Sequence, residues 1–282
     1  MKTREELIDD LLNLAFAEDV GDGDHTTLST IPDDSYGRQQ LIIKEEGILA
    51  GVEIAKMVFK KFDPELKMTV FINDGAHVKP GDIAFVVEGK NRSLLQTERI
   101  MLNIMQRMSG IATMTARYQA RLEGLHTRVL DTRKTTPGMR MLEKEAVKIG
   151  GGTNHRIGLF DMILIKDNHI DHAGGIEQAL KNVREYLART GKKLKIEIEV
   201  RSLDDIRKVL EIGGVDRIMF DNFTPELTRE AVKLVGGRVE TESSGGITLD
   251  TLRTYGEAGV DFISVGALTH SVKGLDMSFK AC

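Results

Sequence analysis

The sequence predicts an α/β protein whose C-terminal part is a barrel of parallel strands. After residue 126, short β-branched runs alternate with amphipathic segments of helical period. At this length such alternation means parallel strands joined by right-handed crossovers. The strands read as 127–131, 161–166, 194–200, 217–221, 238–242 and 261–265, and the helices between them as 139–149, 175–190, 203–212, 225–235 and 249–258. Polar or glycine-rich residues stand at the C-terminal end of nearly every strand: Asp131-Thr132-Arg133-Lys134, Lys166-Asp167-Asn168-His169, Asp221-Asn222, Glu242 through Gly246, and Gly266. A doubly wound sheet gathers its site at one switch point, whereas the strand ends of a barrel converge on one mouth. Ligand-type residues on every strand therefore favour the barrel.

The preceding part mixes helices and strands. Residues 3–18 carry Leu7, Leu11, Leu14 and Ala15 at helical spacing, with Thr3 and Glu6 placed for a capping box. GDGDHTTL reads as turn. Strands are expected at 40–44, 68–72 and 83–88, with a helix at 52–62. DGAHVKPGDIAFVVEG resembles the hairpins of biotinyl and lipoyl carrier domains, but Lys67 lacks the exposed turn an attachment lysine needs, so the hairpin is read as structural. A long helix follows over 94–122, where Leu95, Ile100, Leu102, Ile104, Met105, Met108, Ile111 and Met114 recur at a period near 3.6. Its methionines suit core gap-filling.

Composition bounds the function. The 282 residues are 41% hydrophobic, enough to bury a core and to exclude disorder. The net charge of −4 argues against a nucleic-acid binder. The single cysteine, Cys282, excludes an intrachain disulfide and a cysteine-based metal site. The charged start MKTREELIDD lacks the apolar stretch of a signal peptide, and no run approaches a membrane span of about 18 apolar residues. A cytoplasmic protein without a membrane partner is expected.

Inside this acidic chain, Arg133, Lys134, His155, Arg156 and Lys166 cluster at or between the first two strand ends. Such a cluster makes a pocket for a multiply anionic ligand, with arginine forks suited to carboxylate and phosphate. The glycines Gly150, Gly151 and Gly152 exceed what a helix C-cap requires and suggest close approach of backbone to a ligand. Ser244-Gly245-Gly246 and Gly266-Ala267, with His270 beyond, follow the last two strands, where backbone N–H groups and a helix N-terminus behind them would cradle phosphate. Glu199 and Asp221 are acids aimed at the same mouth; they would bind ribose hydroxyls, hold a metal, stabilise positive charge, or pair with Arg133, Lys134 or Lys166. Glu197 and Glu199 share one strand face, and an inward charge there needs an ion-pair or functional reason.

The set TRKTTPG, GGGTNHRIGL, LIKDNH, IEIEV, MFDN, ESSGGI and SVGALTHS, with ERIMLN and GDGDHTT before it, resembles the quinolinate phosphoribosyltransferase family in order and over almost the whole chain. The resemblance implies an N-terminal α/β sandwich domain over 1–112, an open α/β barrel over 113–272, and a tail, 273–282, that returns to the first domain. It also implies a magnesium-dependent enzyme of NAD biosynthesis with no organic cofactor. Phosphoribosyl pyrophosphate (PRPP) and quinolinate would give nicotinate mononucleotide, pyrophosphate and CO2. By motif, Arg99, Arg133, His155, Arg156 and Lys166 would hold the quinolinate carboxylates, with Arg99 supplied by the other subunit of a homodimer. Lys134 would stand at the centre of the site, Glu199 and Asp221 would meet ribose and magnesium, and Ser244, Gly245, Gly246, Gly266, Ala267 and His270 would line the phosphate side. Rival readings are a paralogue with altered acid-binding residues, a Schiff-base aldolase using Lys134 or Lys166, and a carrier or scaffold protein built on the hairpin.

Overall fold

A computed structural model describes residues 2–282. In chain order the elements are α1 (Arg4–Asp19), α2 (His25–Thr30), β1 (Tyr36–Ile43), β2 (Gly47–Ile48), α3 (Val52–Phe62), β3 (Lys67–Val70), β4 (His77–Val78), β5 (Ile83–Lys90), α4 (Asn91–Arg121), β6 (Arg128–Leu130), α5 (Arg140–Ile149), β7 (Met162–Ile165), α6 (Asp167–Ala173), α7 (Ile176–Thr190), β8 (Lys195–Val200), α8 (Leu203–Ile212), β9 (Arg217–Asp221), α9 (Pro225–Val235), β10 (Glu240–Ser244), α10 (Leu252–Glu257), β11 (Phe262–Ser264), α11 (Ala267–His270) and β12 (Met277–Ala281). Two compact units result. One holds the chain up to Ala116 with Lys134–Gly151 and Ala267–Cys282, and the other holds Arg117–Arg133 and Gly152–Gly266.

The first unit is built on an antiparallel sheet in the order β12-β1-β5-β3. Helix α3 supplies Phe59, whose ring lies 6.2 Å from Phe85 of β5 and 6.0 Å from Phe279 of β12. The tail is thus a strand of this sheet, running antiparallel to β1 from Met277 opposite Ile43 to Ala281 opposite Gln39. Helix α1 starts at the capping box of Thr3 and Glu6. Its inward face is not the expected Leu7–Leu11–Leu14 row: Ile8 and Leu12 are buried, while Leu14 is 65% exposed. Phe16 continues the inward row, against Phe62 at 5.3 Å. The expected row lies one residue off because Leu7 and Leu14 are apolar side chains on the solvent face.

The carrier-like hairpin does not form. Its first arm, β4, pairs with β2, and its second arm, β5, pairs with β1 and β3. GDGDHTTL is half helix, because Asp24 accepts the N–H of Thr27 and caps α2.

The second unit is a six-stranded parallel sheet in the order β6-β11-β10-β9-β8-β7. From β8 through β11 every strand lies beside its predecessor in the chain, and β6 lies beside β11. That is the order of a barrel left open between β6 and β7. A doubly wound sheet would reverse its order at an internal switch point. Thr153 lies at the open edge: its N–H donates to Val129 O at 2.9 Å and its carbonyl accepts from Asp131 N at 3.1 Å. Strand β8 is buried from Ile196 through Val200, as a strand covered on both faces must be.

Candidate active site

The β-strand ends of the barrel bring cations and acids together. Arg133, after β6, is exposed; Arg156, before β7, is half-buried and donates from Nη1 to Met162 O at 3.3 Å. Burial first, then the like charge of Arg133, holds the Arg156 guanidinium below its ordinary range. Like charge beside a half-buried guanidinium is a cost that a bound anion relieves. Lys166, at the end of β7, reaches across to β8, where its Nζ lies 2.9 Å from Oε2 of the buried Glu199. The ion pair weighed in the sequence for Glu199 is therefore present.

Asp221 ends β9, and its Oδ2 accepts from Asn222 Nδ2 at 2.9 Å. Asn222 has φ +56° and is the one non-glycine residue with positive φ among the described residues. Its N–H donates to Ser244 O at 2.8 Å. The Ser244-Gly245-Gly246 turn lies directly against it. A Cβ on Gly245, at φ +105°, would meet Asn222 Oδ1 at 2.2 Å and its backbone nitrogen at 3.0 Å. Gly245→Ala should therefore cost about 1–2 kcal/mol in backbone strain alone, read as a lowered Tm, and shift Asp221 through Asn222. The helix expected directly behind this turn begins only at Leu252, because Thr248 and Thr251 close a hydrogen-bonded turn first. Behind Gly266 the short α11 starts at once with Ala267 and ends at the exposed His270. Lys134, next to Arg133 in the chain, is exposed; its carbonyl accepts from Thr269 Oγ1 at 2.8 Å. Arg99 is exposed on α4.

His155 is turned inward. It is 9% exposed; its Nδ1 accepts the Arg156 N–H at 2.7 Å, and its Nε2 lies 2.9 Å from Glu197 Oε2 and 3.6 Å from Glu242 Oε2. The buried Asp131 accepts the His155 N–H at 2.8 Å. Glu242, read in the sequence as a strand-end residue, is instead wholly buried within β10. Arg217 of β9 donates from Nη1 to Glu242 Oε2 at 2.9 Å and from Nη2 to Glu240 Oε2 at 3.0 Å, and lies 4.2 Å from the Phe262 ring centroid. Burial, then the charge of Glu197, pushes Glu242 up to about 8 in spite of His155 and Arg217. Burial also pushes Glu197 up.

His155, Glu197 and Glu242 lie close enough to hold a cation. Arg217 already neutralises part of that charge, however, and both carboxyls are displaced toward the protonated form. The ladder had a trace in the sequence: Glu197, Arg217 and Glu242 are charged residues inside strand runs. Register adds what spacing lacked, setting Arg217 between Glu197 on one neighbour and Glu240 on the other.

Residues 111–280 match the quinolinate phosphoribosyl transferase C-terminal domain, and 24–109 the N-terminal domain. The chain is 48% identical over 286 aligned residues to a chloroplastic nicotinate-nucleotide pyrophosphorylase [carboxylating] of Oryza sativa subsp. japonica, covering 96% of this chain and 76% of that one. It is 44% identical over 268 to a probable nicotinate-nucleotide pyrophosphorylase [carboxylating] of Bacillus subtilis, covering 95% and 91%. The fold superposes on the crystal structure of NadC from Streptococcus pyogenes with a TM-score of 0.93 at 39% identity, covering 99% and 97%.

Proposed function

Because the chain belongs to the quinolinate phosphoribosyltransferase family, we propose that it transfers the phosphoribosyl group of PRPP to quinolinate with loss of CO2, giving nicotinate mononucleotide and pyrophosphate for NAD biosynthesis. The observation that carries this reading to the site is the gathering of cations at the strand ends of the barrel, with Arg133 after β6, the half-buried Arg156 before β7 and Lys166 at the end of β7, a set suited to a dianion. Arg133, Arg156 and Lys166 hold the two quinolinate carboxylates. His155 contributes from inside, through the backbone N–H of Arg156 that its ring accepts. Ser244, Gly245, Gly246, Gly266, Ala267 and His270 serve the phosphate.

The reaction follows from charge. The ring nitrogen bonds to ribose C1 as the C1–pyrophosphate bond breaks, and positive charge develops on the ribose between the two events. Glu199 and Asp221 stabilise it, while Lys134 neutralises the departing pyrophosphate. The ring nitrogen is then cationic and draws in the electron pair released when the neighbouring carboxylate leaves as CO2. The vacated carbon takes up a proton. No organic cofactor is required.

Glu199 and Asp221 are hard oxygen donors, and one or two carboxylates plus substrate phosphates suit magnesium. They would hold that ion, which supplies further positive charge against pyrophosphate. A cytoplasmic location completes the reading, in keeping with the single, exposed Cys282; the rice relative is chloroplastic.

We place Arg99 in the site of a partner subunit within a homodimer, a role its exposure permits. Mixing inactive Arg99→Ala and Lys134→Ala chains should then restore activity, since a mixed dimer has one intact site. No recovery despite demonstrated subunit exchange would return Arg99 to its own chain. The reaction itself is tested by incubating the protein with quinolinate, PRPP and magnesium and following nicotinate mononucleotide and CO2 together. Both products, absent without PRPP, are expected. A folded protein yielding neither would point to a different aromatic acid.

A further inference from the structure

Residues 133–138 carry no buried side chain. A segment without apolar packing takes its position from polar contacts, and several of those contacts converge on one half-buried ion pair in the first unit. Arg107 of α4 donates to Glu143 Oε1 of α5 from Nε at 3.1 Å and from Nη2 at 2.8 Å. The same Nη2 donates to Thr136 Oγ1 at 3.3 Å and to the carbonyl of Thr269. Glu143, wholly buried, accepts the Thr136 N–H on its other oxygen at 3.2 Å. Thr269, also wholly buried, closes the ring by donating Oγ1 to the Lys134 carbonyl at 2.8 Å.

The helix is shaped for this approach. A Cβ on Gly110, one turn beyond Arg107, would sit 2.3 Å from Lys273 O, and a Cβ on Gly150 would sit 2.3 Å from Ala112 O. Leu275 N donates to Gln106 O at 3.0 Å. A buried ion pair adds little net stability over apolar residues of the same volume. What this one adds is direction, since its bonds to the Thr269 carbonyl and the Thr136 N–H fix backbone atoms of the two segments that bear proposed site residues.

We propose that Arg107, Glu143 and Thr269 are positioning residues that clamp Lys134 to the 267–270 segment, holding the catalytic ammonium and the phosphate side at a fixed separation. The inference rests on the proposed reaction. Thr269→Val keeps the shape and removes the hydroxyl bond to Lys134. It should lower kcat roughly 10-fold, with the KM for quinolinate changed less than about 2-fold, because a misplacement of about 1 Å carries costs of this order. Thr269→Ser, which keeps the hydroxyl, should restore most of kcat. In a Lys134→Ala background the same Thr269→Val change should cost less than about 2-fold, since a clamp has no effect once the clamped residue is gone. Arg107→Lys, which keeps the charge but not the fork, should behave as Thr269→Val does and serves if the valine variant folds poorly. Equal losses with and without Lys134, or a folded Thr269→Val enzyme at full kcat, would overturn the clamp while leaving the reaction standing. An inactive wild-type protein would overturn the reaction and the clamp with it.

Discussion

Lys134→Ala is expected to lower turnover by at least about 10²-fold, the scale of losing one preorganised charge contact in an active site. Lys134 is exposed, so its removal leaves the core intact and the melting temperature close to wild type. The loss should appear in kcat and kcat/KM together, as it does when an interaction is made chiefly in the transition state. Its surroundings sharpen the expectation. The polar clamp fixes the Lys134 carbonyl at the start of a segment with no apolar anchor, so the ammonium departs from a defined backbone position. Turnover near wild type would remove Lys134 from the chemistry and transfer the neutralising role to the arginines.

Arg217→Met should be the most destabilising of these changes, and its cost should depend on pH. Arg217 faces Glu240 and the wholly buried Glu242, and removing one partner of a buried pair costs about 3–5 kcal/mol. Here the stranded partner can respond. Glu242 sits at about 8 with Arg217 present, and losing that cation moves it higher still. Near pH 5 the variant's Glu242 is protonated and neutral, so the penalty is moderate; above pH 8 the fold must either hold a buried carboxylate or retain the proton against the solution.

The sign for the wild type follows from the same shift. A carboxyl raised in the folded state and ordinary in the unfolded chain favours unfolding progressively as pH rises from the unfolded value toward the folded one. Glu242 should therefore lower stability between about pH 4.5 and 8, and Glu242→Gln should flatten that slope. Thermal melts of wild type, Arg217→Met and Glu242→Gln at pH 5 and 8 check all of this. An Arg217→Met deficit equal at both pH values would mean that the buried acids do not exchange protons in this range.

What was legible in the sequence divides along physical lines. Helices α8 and α9 and strand β9 fall on their expected bounds because amphipathic period, a capping Ser202 or Thr224, and β-branched runs agree there. The barrel itself was legible because polar residues recur at successive strand ends. Burial inside it was not. Spacing shows that Glu197 and Glu199 share a face, but not that one meets a histidine and the other a lysine, since those partners arrive by strand register. The short α6 was missed because its polar residues read as a strand end. The clamp left no local signal, because Arg107, Glu143 and Thr269 are far apart in the chain and each is ordinary in its own neighbourhood. Only the tertiary fold makes them one group.

The antiparallel pairing of β12 with β1 has a consequence for synthesis. The ribosome makes β1 early and β12 only after the whole barrel sequence has been translated. Throughout that interval the first sheet lacks its outer strand, and the β1 edge presents unpaired N–H and C=O groups of the kind that recruit foreign strands. The nascent chain is thus most vulnerable to mispairing before its last strand appears. Additions or deletions around 277–281 should be felt first in soluble yield, at the stage of assembly, before they are felt in the chemistry of the barrel.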